Sequence, residues 1–283
     1  MERADQYIDR VAHLPPAPSV ASELLSLFGE PDRDLDRIVQ LITHDPALTT
    51  EVLRRCNSAF FGGAEPASDM FEAVTRMGLY EVYCVVLAVV GSRAMTMTHP
   101  ECGLDDARLW RHSVTTAVGA AVLARHAGEP DAVAFTAGLL HDLGKLVLSA
   151  TEPGLYRKLL RDSRGQGEVL VAAELKNLGV SHAMVGARLL ARWDLPTDVA
   201  AAVLYHHSPR ASISSFERLG ASVYLGNELA HRLADPDARA FDSVMSRPEP
   251  LEILQLTPDD LPKLAEQTAE DLKRLEGLFH MSS

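Results

Sequence analysis

The sequence predicts an all-α protein. Apolar residues recur at spacings of three and four, which is the helical period, and residues typical of helix caps separate the apolar segments. Segments with the two-residue alternation of a half-buried strand are nearly absent. With 283 residues, 47% of them hydrophobic and 23% charged, the chain can bury one large core or two modest ones.

Five helices are predicted in the first hundred residues. A stiff proline-rich segment at 14–18 precedes the first of them, and Gly78 is expected to bend the apolar stretch 71–97 into two helices. Asp34 and the pair Asp45–Pro46 have the residue types of helix caps. The other three helices are expected at about 19–28, from 35 onward and at 46–56.

The second half is predicted to form a helical bundle after a polar linker at 99–106. Ser181 and Thr197 are expected to cap two of its helices, and Thr257 to Asp260 form a capping box for the last one. The expected helices span about 107–126, 132–150, 154–164, 169–178, 181–193 and 197–207, then one that carries Asn227 and one that ends near 279. We therefore expect two helical subdomains, 1–103 and 104–234, followed by a loop and C-terminal helix at 235–283.

The composition argues against several classes of function. A formal net charge of −12 disfavours binding to nucleic acids, which depends on Lys and Arg, and Phe60 and Phe61 are more typical of core packing than of base stacking. Three cysteines without a C-x-x-C pair indicate reduced thiols. The longest apolar run, 82–90, is too short to cross a membrane, and the charged amino terminus is unlike a signal peptide. We expect a cytoplasmic protein that binds neither nucleic acid nor membranes.

The stretch AFTAGLLHDLGKLVLSA, from Ala134 to Ala150, combines an apolar helical pattern with His141, Asp142 and Lys145. Burial of these side chains would cost several kcal/mol unless each finds a partner. A divalent metal bound by the imidazole and the carboxylate, with a phosphate oxygen facing Lys145, would provide those partners.

Further histidines lie on separate predicted helices. A single histidine on an apolar helix is more often a hydrogen-bonded core residue than a metal ligand. Several helices that each bring an imidazole from an apolar face are better explained as ligands that converge on metal. The candidate metal ligands are His112, His141, Asp142, His182, His206 and His207. The other histidines are expected to be solvated: His13, His44, His99, His126, His231 and His280.

The order of these motifs resembles the HD phosphohydrolase superfamily, and most closely its HD-GYP branch: His112, His141–Asp142 with Lys145, His182, then His206–His207. A wider pattern, over about 14–230, is similar to the HDOD family. It comprises LPPAPSVASELL, DLDRIVQLITHDPALTTEVLRRCNSAFFG, Met77–Gly78, LWRHS, AGLLHDLGKLVL, ARWDLP and GNELA. This resemblance implies an amino-terminal helical subdomain packed on an HD-like helical bundle.

The resemblance to HD enzymes implies divalent cations, Fe, Mn, Ni or Mg, held by the histidines and bridged by Asp142, with Lys145 on a phosphate oxygen. Three features depart from that pattern. Asn227, in GNELA, stands where the superfamily has an Asp, and Arg108 stands where trinuclear HD-GYP sites have a Glu. The residues after His207 read SPRAS and form no Gly-Tyr-Pro loop.

Two functions follow as alternatives. The HDOD resemblance implies a regulatory output module of bacterial signalling, which binds signalling proteins and keeps an incomplete metal site. The alternative is a metal-dependent phosphohydrolase acting on a nucleotide or cyclic dinucleotide, with Asp142 and Lys145 as catalytic residues. Asn227 and Arg108 favour the first, because a neutral amide is a poorer ligand than a carboxylate and a guanidinium repels metal. The complete set of histidines favours the second.

Overall fold

The computed structural model describes residues 2–11, 19–29, 34–58, 61, 66–95, 105–163, 166–212, 215–234, 244 and 246–279. Within these ranges the chain forms helices and turns and contains no strand, which confirms the predicted fold class. The α-helices are α1 (Glu2–Asp9), α2 (Ser19–Gly29), α3 (Leu35–Thr43), α4 (Pro46–Cys56), α5 (Met70–Met77), α6 (Leu79–Met95), α7 (Asp106–Ala127), α8 (Asp131–Leu140), α9 (Leu143–Thr151), α10 (Pro153–Ser163), α11 (Gly167–Leu178), α12 (His182–Arg192), α13 (Thr197–Tyr205), α14 (Glu217–Ala234), α15 (Glu249–Leu254) and α16 (Leu261–Phe279).

Helices α2 to α6 lie where the sequence predicts them. The side chains of Asp34 and Asp45 accept hydrogen bonds from backbone N–H groups in the first turns of α3 and α4, so both predicted caps are confirmed. Between α5 and α6, Gly78 has a φ of +93°, which glycine adopts without steric cost. Phe61 packs against the core as expected. The proline-rich segment at 14–18, Phe60 and the linker residues 99–104 lie outside the described residues.

Helices α7 and α14 run antiparallel at the centre of the second half. The order of their contacts shows this, because the Arg218 guanidinium donates to the Ala127 carbonyl at one end and the His231 ring lies against His112 at the other. Between these points a Cβ at Gly226 would come within 2.6 Å of the Ala120 backbone nitrogen. The absence of a side chain at residue 226 therefore allows the two helix backbones to approach closely.

The single helix predicted over 132–150 is wrong in one respect. His141 and Asp142 form a turn that separates α8 from α9: His141 keeps helical dihedrals, whereas Asp142 departs from them with φ −96° and ψ 5°. The apolar pattern continues through the break because both helices are buried, α8 against α7 and α9 against α12. The stretch Asp131–Thr151 has the length and hydropathy of a membrane span. Of its most apolar 18 residues, however, 89% are buried inside the protein, as in a core helix.

Three elements differ from the prediction at the ends of the chain and at one cap. Helix α1 was not expected, and its Asp5 and Asp9 form ion pairs with Arg192 of α12. Helix α15, at Glu249–Leu254, lies in the segment 235–283, for which a loop and a single C-terminal helix are expected. Thr197 is the first residue of α13 and does not cap it, because Pro196 precedes the helix in extended geometry. The capping box at Thr257 is confirmed.

Helix α9 approaches α12 so closely that residue 144 has no space for a side chain. A Cβ at Gly144 would overlap the carbonyl oxygen of His182 and lie 2.8 Å from the Gly186 nitrogen. Both atoms belong to the backbone and cannot rotate away. Because Asp142 directly precedes α9 and His182 begins α12, this contact sets the distance between the two side chains.

We expect Gly144→Ala to lower the free energy of unfolding by about 3 kcal/mol, at the upper end of the usual cost of overpacking, because two backbones must separate. Urea denaturation followed by circular dichroism measures the change. Gly154→Ala in α10 is the matched control, since a Cβ there meets nothing within 4 Å. Equal stability of the two variants would contradict the close approach of α9 and α12.

Candidate metal centre

Five imidazoles and one carboxylate come together where five elements meet. His112 lies on α7, the pair His141–Asp142 forms the break between α8 and α9, and His182 is the first residue of α12. His206 and His207 follow directly after α13. His141, Asp142, His182 and His206 are each at most 2% exposed, whereas His112 and His207 are partly exposed.

The rings form a continuous cluster. The separations between ring centroids are 5.3 Å for His112–His141, 5.1 Å for His141–His206, 5.5 Å for His182–His206, 5.0 Å for His182–His207 and 4.0 Å for His206–His207. The structure therefore brings together all six of the residues that the sequence offers as metal ligands. Their role as ligands stays a prediction.

Asp142 lies at the centre of the cluster. Its Oδ2 accepts a hydrogen bond from the Lys145 ammonium at 2.7 Å and lies 3.3 Å from the His141 Nε2 and 3.8 Å from the His112 Nε2. Its Oδ1 lies 3.5 Å from the His182 Nε2 but has no hydrogen-bond partner in the part of the chain that the structure describes. Burial alone would raise the pKa of the Asp142 carboxyl. His141 and Lys145 lower it by a larger amount, so that the pKa falls well below the usual range.

Outer hydrogen bonds fix the orientation of three rings. The Nδ1 of His141 donates to the Gly138 carbonyl at 2.7 Å, and the Nδ1 of His206 donates to the Val203 carbonyl at 2.6 Å. The Nδ1 of His182 lies 2.8 Å from Glu174. With Nδ1 used as the donor, Nε2 is the atom through which His141 and His206 can bind a metal. The Nε2 of His182 lies 3.0 Å from the His207 Nε2.

Glu174 of α11 is a part of the site that the sequence analysis did not assign. Its carboxylate is fully buried and accepts hydrogen bonds from the Tyr156 hydroxyl at 2.6 Å and from the His182 backbone N–H at 2.8 Å, in addition to the His182 ring. Burial raises the pKa of Glu174, but His182 lowers it below the usual value. An acidic residue eight positions before a candidate ligand gives little signal in the sequence, because charged residues of surface helices have the same spacing.

The histidines whose pKa shifts are pronounced are held neutral. Burial lowers the pKa of His112, His206 and His207 well below the usual value, and neighbouring imidazoles lower it further. Metal ligation requires this neutral form.

The arrangement fits a divalent metal. One ligand atom each from His112, His141 and Asp142 lie within 4.8 Å of one another, and the same holds for His182, His206 and His207. Asp142 Oδ1 and His206 Nε2 are buried acceptors that find no hydrogen-bond partner among the described residues, and such groups are costly unless a donor or a cation satisfies them. A metal held here would act as a Lewis acid toward a bound phosphate or carbonyl oxygen.

A cavity of about 980 Å³ opens beside the cluster. His112, Asp142 and His207 reach its wall, together with Asn227 and His231 of α14. The expectation that His231 is solvated is wrong, because its ring is half-buried and lies 4.8 Å from that of His112. The cations that line the cavity are Arg108, Arg111, Lys145 and Arg161.

A family model described as the HDOD domain matches residues 14–209 of this chain. An uncharacterised protein from Treponema pallidum (strain Nichols) is 31% identical over 228 residues, which are 79% of this chain and 43% of that protein. The chain thus spans less than half the length of this relative.

Three solved structures share the fold at 22% sequence identity each. An HDOD domain protein of unknown function from Geobacter sulfurreducens has a TM-score of 0.77, with 99% of this chain and 97% of that chain covered. A protein from Shewanella amazonensis SB2B, named for a proposed phosphohydrolase activity, has a TM-score of 0.72, with 98% of each chain covered. A proposed signal-transduction protein from Marinobacter aquaeolei VT8 has a TM-score of 0.73, with 99% of this chain and 64% of that chain covered. At this identity they show the fold alone.

We expect Glu174→Gln to weaken binding of Mn²⁺ or Co²⁺ by about 10–100-fold, because an amide has one acceptor oxygen for the three donors that face Glu174. Competition with a chromophoric chelator measures the affinity. Glu168→Gln is the control, since Glu168 lies on the same helix and pairs with Arg247 at the surface. Unchanged affinity in the Glu174 variant would show that the carboxylate does not orient a ligand.

Proposed function

This chain belongs to the HDOD domain family, and from that premise we propose that it is a regulatory output module of bacterial signal transduction whose helical core holds a divalent metal. In this proposal the protein acts in the cytoplasm by binding signalling proteins. Hydrolysis is absent or a minor activity. Metal occupancy would stabilise the folded second half, since any ligand that binds only the native state does so.

The charge of the site is the observation that carries this proposal. Asp142 is the one anion among the six predicted ligands. The neighbouring carboxylate of Glu174 is engaged by His182 and Tyr156 and is not available to a metal. Lys145 and Arg108 add positive charge to the wall of the same cavity, where Asn227 contributes no carboxylate. A cluster of two or three divalent cations needs more negative charge than this, whereas a single ion needs only a few neutral donors and one carboxylate.

Binding of signalling proteins is the second part of the proposal. Phe71, on α5 in the amino-terminal half, is 53% exposed although it is a large apolar residue. Exposed aromatic side chains are enriched at the centres of protein interfaces. The face of α5 around Phe71 is therefore the part of the described surface that we assign to partner contact.

The alternative function is metal-dependent hydrolysis of a nucleotide or cyclic dinucleotide. The observation that favours it is the cavity, which is of the size of a small-molecule site and is lined by four cationic residues in a chain of net charge −12. Lys145 would hold a phosphate oxygen and Asp142 a metal ion in that case. A nucleotide that binds without being hydrolysed would also fit the regulatory proposal.

Metal content and turnover, measured on the same preparation, decide between the two functions. We expect protein loaded with Fe²⁺ or Mn²⁺ to retain about one ion per chain after desalting. We also expect it to hydrolyse bis(p-nitrophenyl) phosphate and cyclic di-GMP no faster than His141→Ala does. The His141 variant should lose the ion, whereas His126→Ala, which changes an exposed histidine of α7, should keep it. Turnover that His141→Ala abolishes and His126→Ala retains would establish the phosphohydrolase instead.

Phe71→Ser should reduce capture of the signalling partner at least about tenfold, because loss of a central aromatic contact typically costs more than about 1 kcal/mol. Quantitative mass spectrometry of proteins retained by the immobilised chain measures the capture. Leu175→Ser is the control, since Leu175 is 46% exposed on α11 of the second half. Both variants should keep the metal content of the unmodified protein. Equal capture by the two variants would contradict the assignment of this face.

A further inference from the structure

Helix α14 brings to the candidate metal centre a histidine that the motif pattern does not assign. His231 lies one turn after Asn227, and its ring centroid is 4.8 Å from that of His112, at an interplanar angle of 39°. The His112 ring is in turn 5.3 Å from that of His141. The His231 ring therefore extends the cluster of imidazoles on the side of α14.

The close packing of α7 and α14 places His231 there. A Cβ at Gly119 would lie 3.1 Å from the Gly226 Cα, so the two backbones are nearly in contact at this point. His112 lies two turns before Gly119 on α7, and His231 lies just over one turn after Gly226 on the antiparallel α14. Their two side chains are consequently adjacent on the wall of the cavity that Asp142 also reaches.

The state of the His231 ring suits a ligand better than a packing residue. Neither ring nitrogen forms a hydrogen bond with a residue in the described part of the chain, although the residue is only partly exposed. A ring nitrogen without a hydrogen-bond partner can present its lone pair to the cavity, whose wall His231 shares with His112 and Asp142.

We propose that His231 is the ligand that α14 contributes to the metal held by His112, His141 and Asp142, in place of the carboxylate that Asn227 lacks. The inference rests on the proposed metal-holding function. Three imidazoles and one carboxylate favour Fe²⁺, Co²⁺, Ni²⁺ or Zn²⁺ over Mg²⁺, which prefers oxygen ligands. Of the four metals that the family resemblance implies, Mg²⁺ is therefore the least suited to this chain.

Titration with Co²⁺ tests the proposal, because its visible absorption reports the number and type of its ligands. His231→Phe is the informative variant, since a phenyl ring can still stack on His112 but offers no lone pair. We expect its Co²⁺ affinity to fall at least about 100-fold, more than the loss of an outer hydrogen-bond partner causes, with a changed absorption spectrum. His126→Phe, at an exposed position of α7, should bind as the unmodified protein does.

A second substitution separates ligation from packing. In the His231→Phe background, Asn227→Asp places a carboxylate one turn away on α14, and we expect it to restore most of the lost affinity. The metal-free variants should keep the circular dichroism spectrum and unfolding midpoint of the unmodified protein. His231→Gln serves the same purpose if His231→Phe does not fold.

The outcomes distinguish this inference from the function on which it rests. Unmodified protein that fails to bind Co²⁺ overturns both. Unmodified protein that binds Co²⁺ with the same affinity and spectrum as His231→Phe overturns only the assignment of His231. Weaker binding that Asn227→Asp does not restore, together with a lower unfolding midpoint of the metal-free variant, also overturns it, because the ring then acts through packing.

Discussion

The burial of one carboxylate organises the second half of this protein. Asp142 is 2% exposed, and transfer of a charged group from water into a protein core costs several kcal/mol unless other groups compensate. Lys145, His141 and His112 lie against its Oδ2, and His182 lies against its Oδ1. Its Oδ1 atom still lacks a hydrogen bond to any of the described residues. A core that encloses such an atom without a partner is unusual, and a cation between the carboxylate and the rings would remove the cost.

The orientations of two candidate ligands, His141 and His206, follow from an ordinary property of helix ends. The last carbonyls of a helix have no intrahelical partner, and His141 and His206 each directly follow a helix and donate Nδ1–H to the carbonyl three residues earlier. The same local device thus turns two rings so that Nε2 faces the cluster. His182 is at the start of a helix, where no such carbonyl exists, and Glu174 takes over the role from a different helix. Local backbone geometry therefore orients the rings of His141 and His206, and tertiary packing orients that of His182.

This division explains how much the sequence could predict. Helix caps such as Asp34 and Asp45 act within one turn, so their signals are local and the corresponding helices were predicted correctly. The two residues of the break, His141 and Asp142, are neither glycine nor proline, so the sequence does not mark it. The break is accompanied by a tertiary contact, that of α9 with the backbone of α12. The candidate ligands are visible as histidines within apolar segments. Glu174 and His231 cannot be recognised in the same way, since each looks like a polar residue of a surface helix until the neighbouring helices are in place.

The placement of the cluster also links the metal to the proposed regulatory role. Its residues come from α7, the α8–α9 break, α12 and the end of α13, and α7 packs in turn on α6 of the amino-terminal half. The ion that we propose for His112, His141, Asp142 and His231 would join α7, the α8–α9 break and α14. It would favour the arrangement in which these elements converge, and the free energy of binding would bias their packing. Such a bias needs no turnover. Under the proposed function, a site with one carboxylate and several imidazoles would suffice for regulation, even though it has less negative charge than a hydrolytic metal cluster requires.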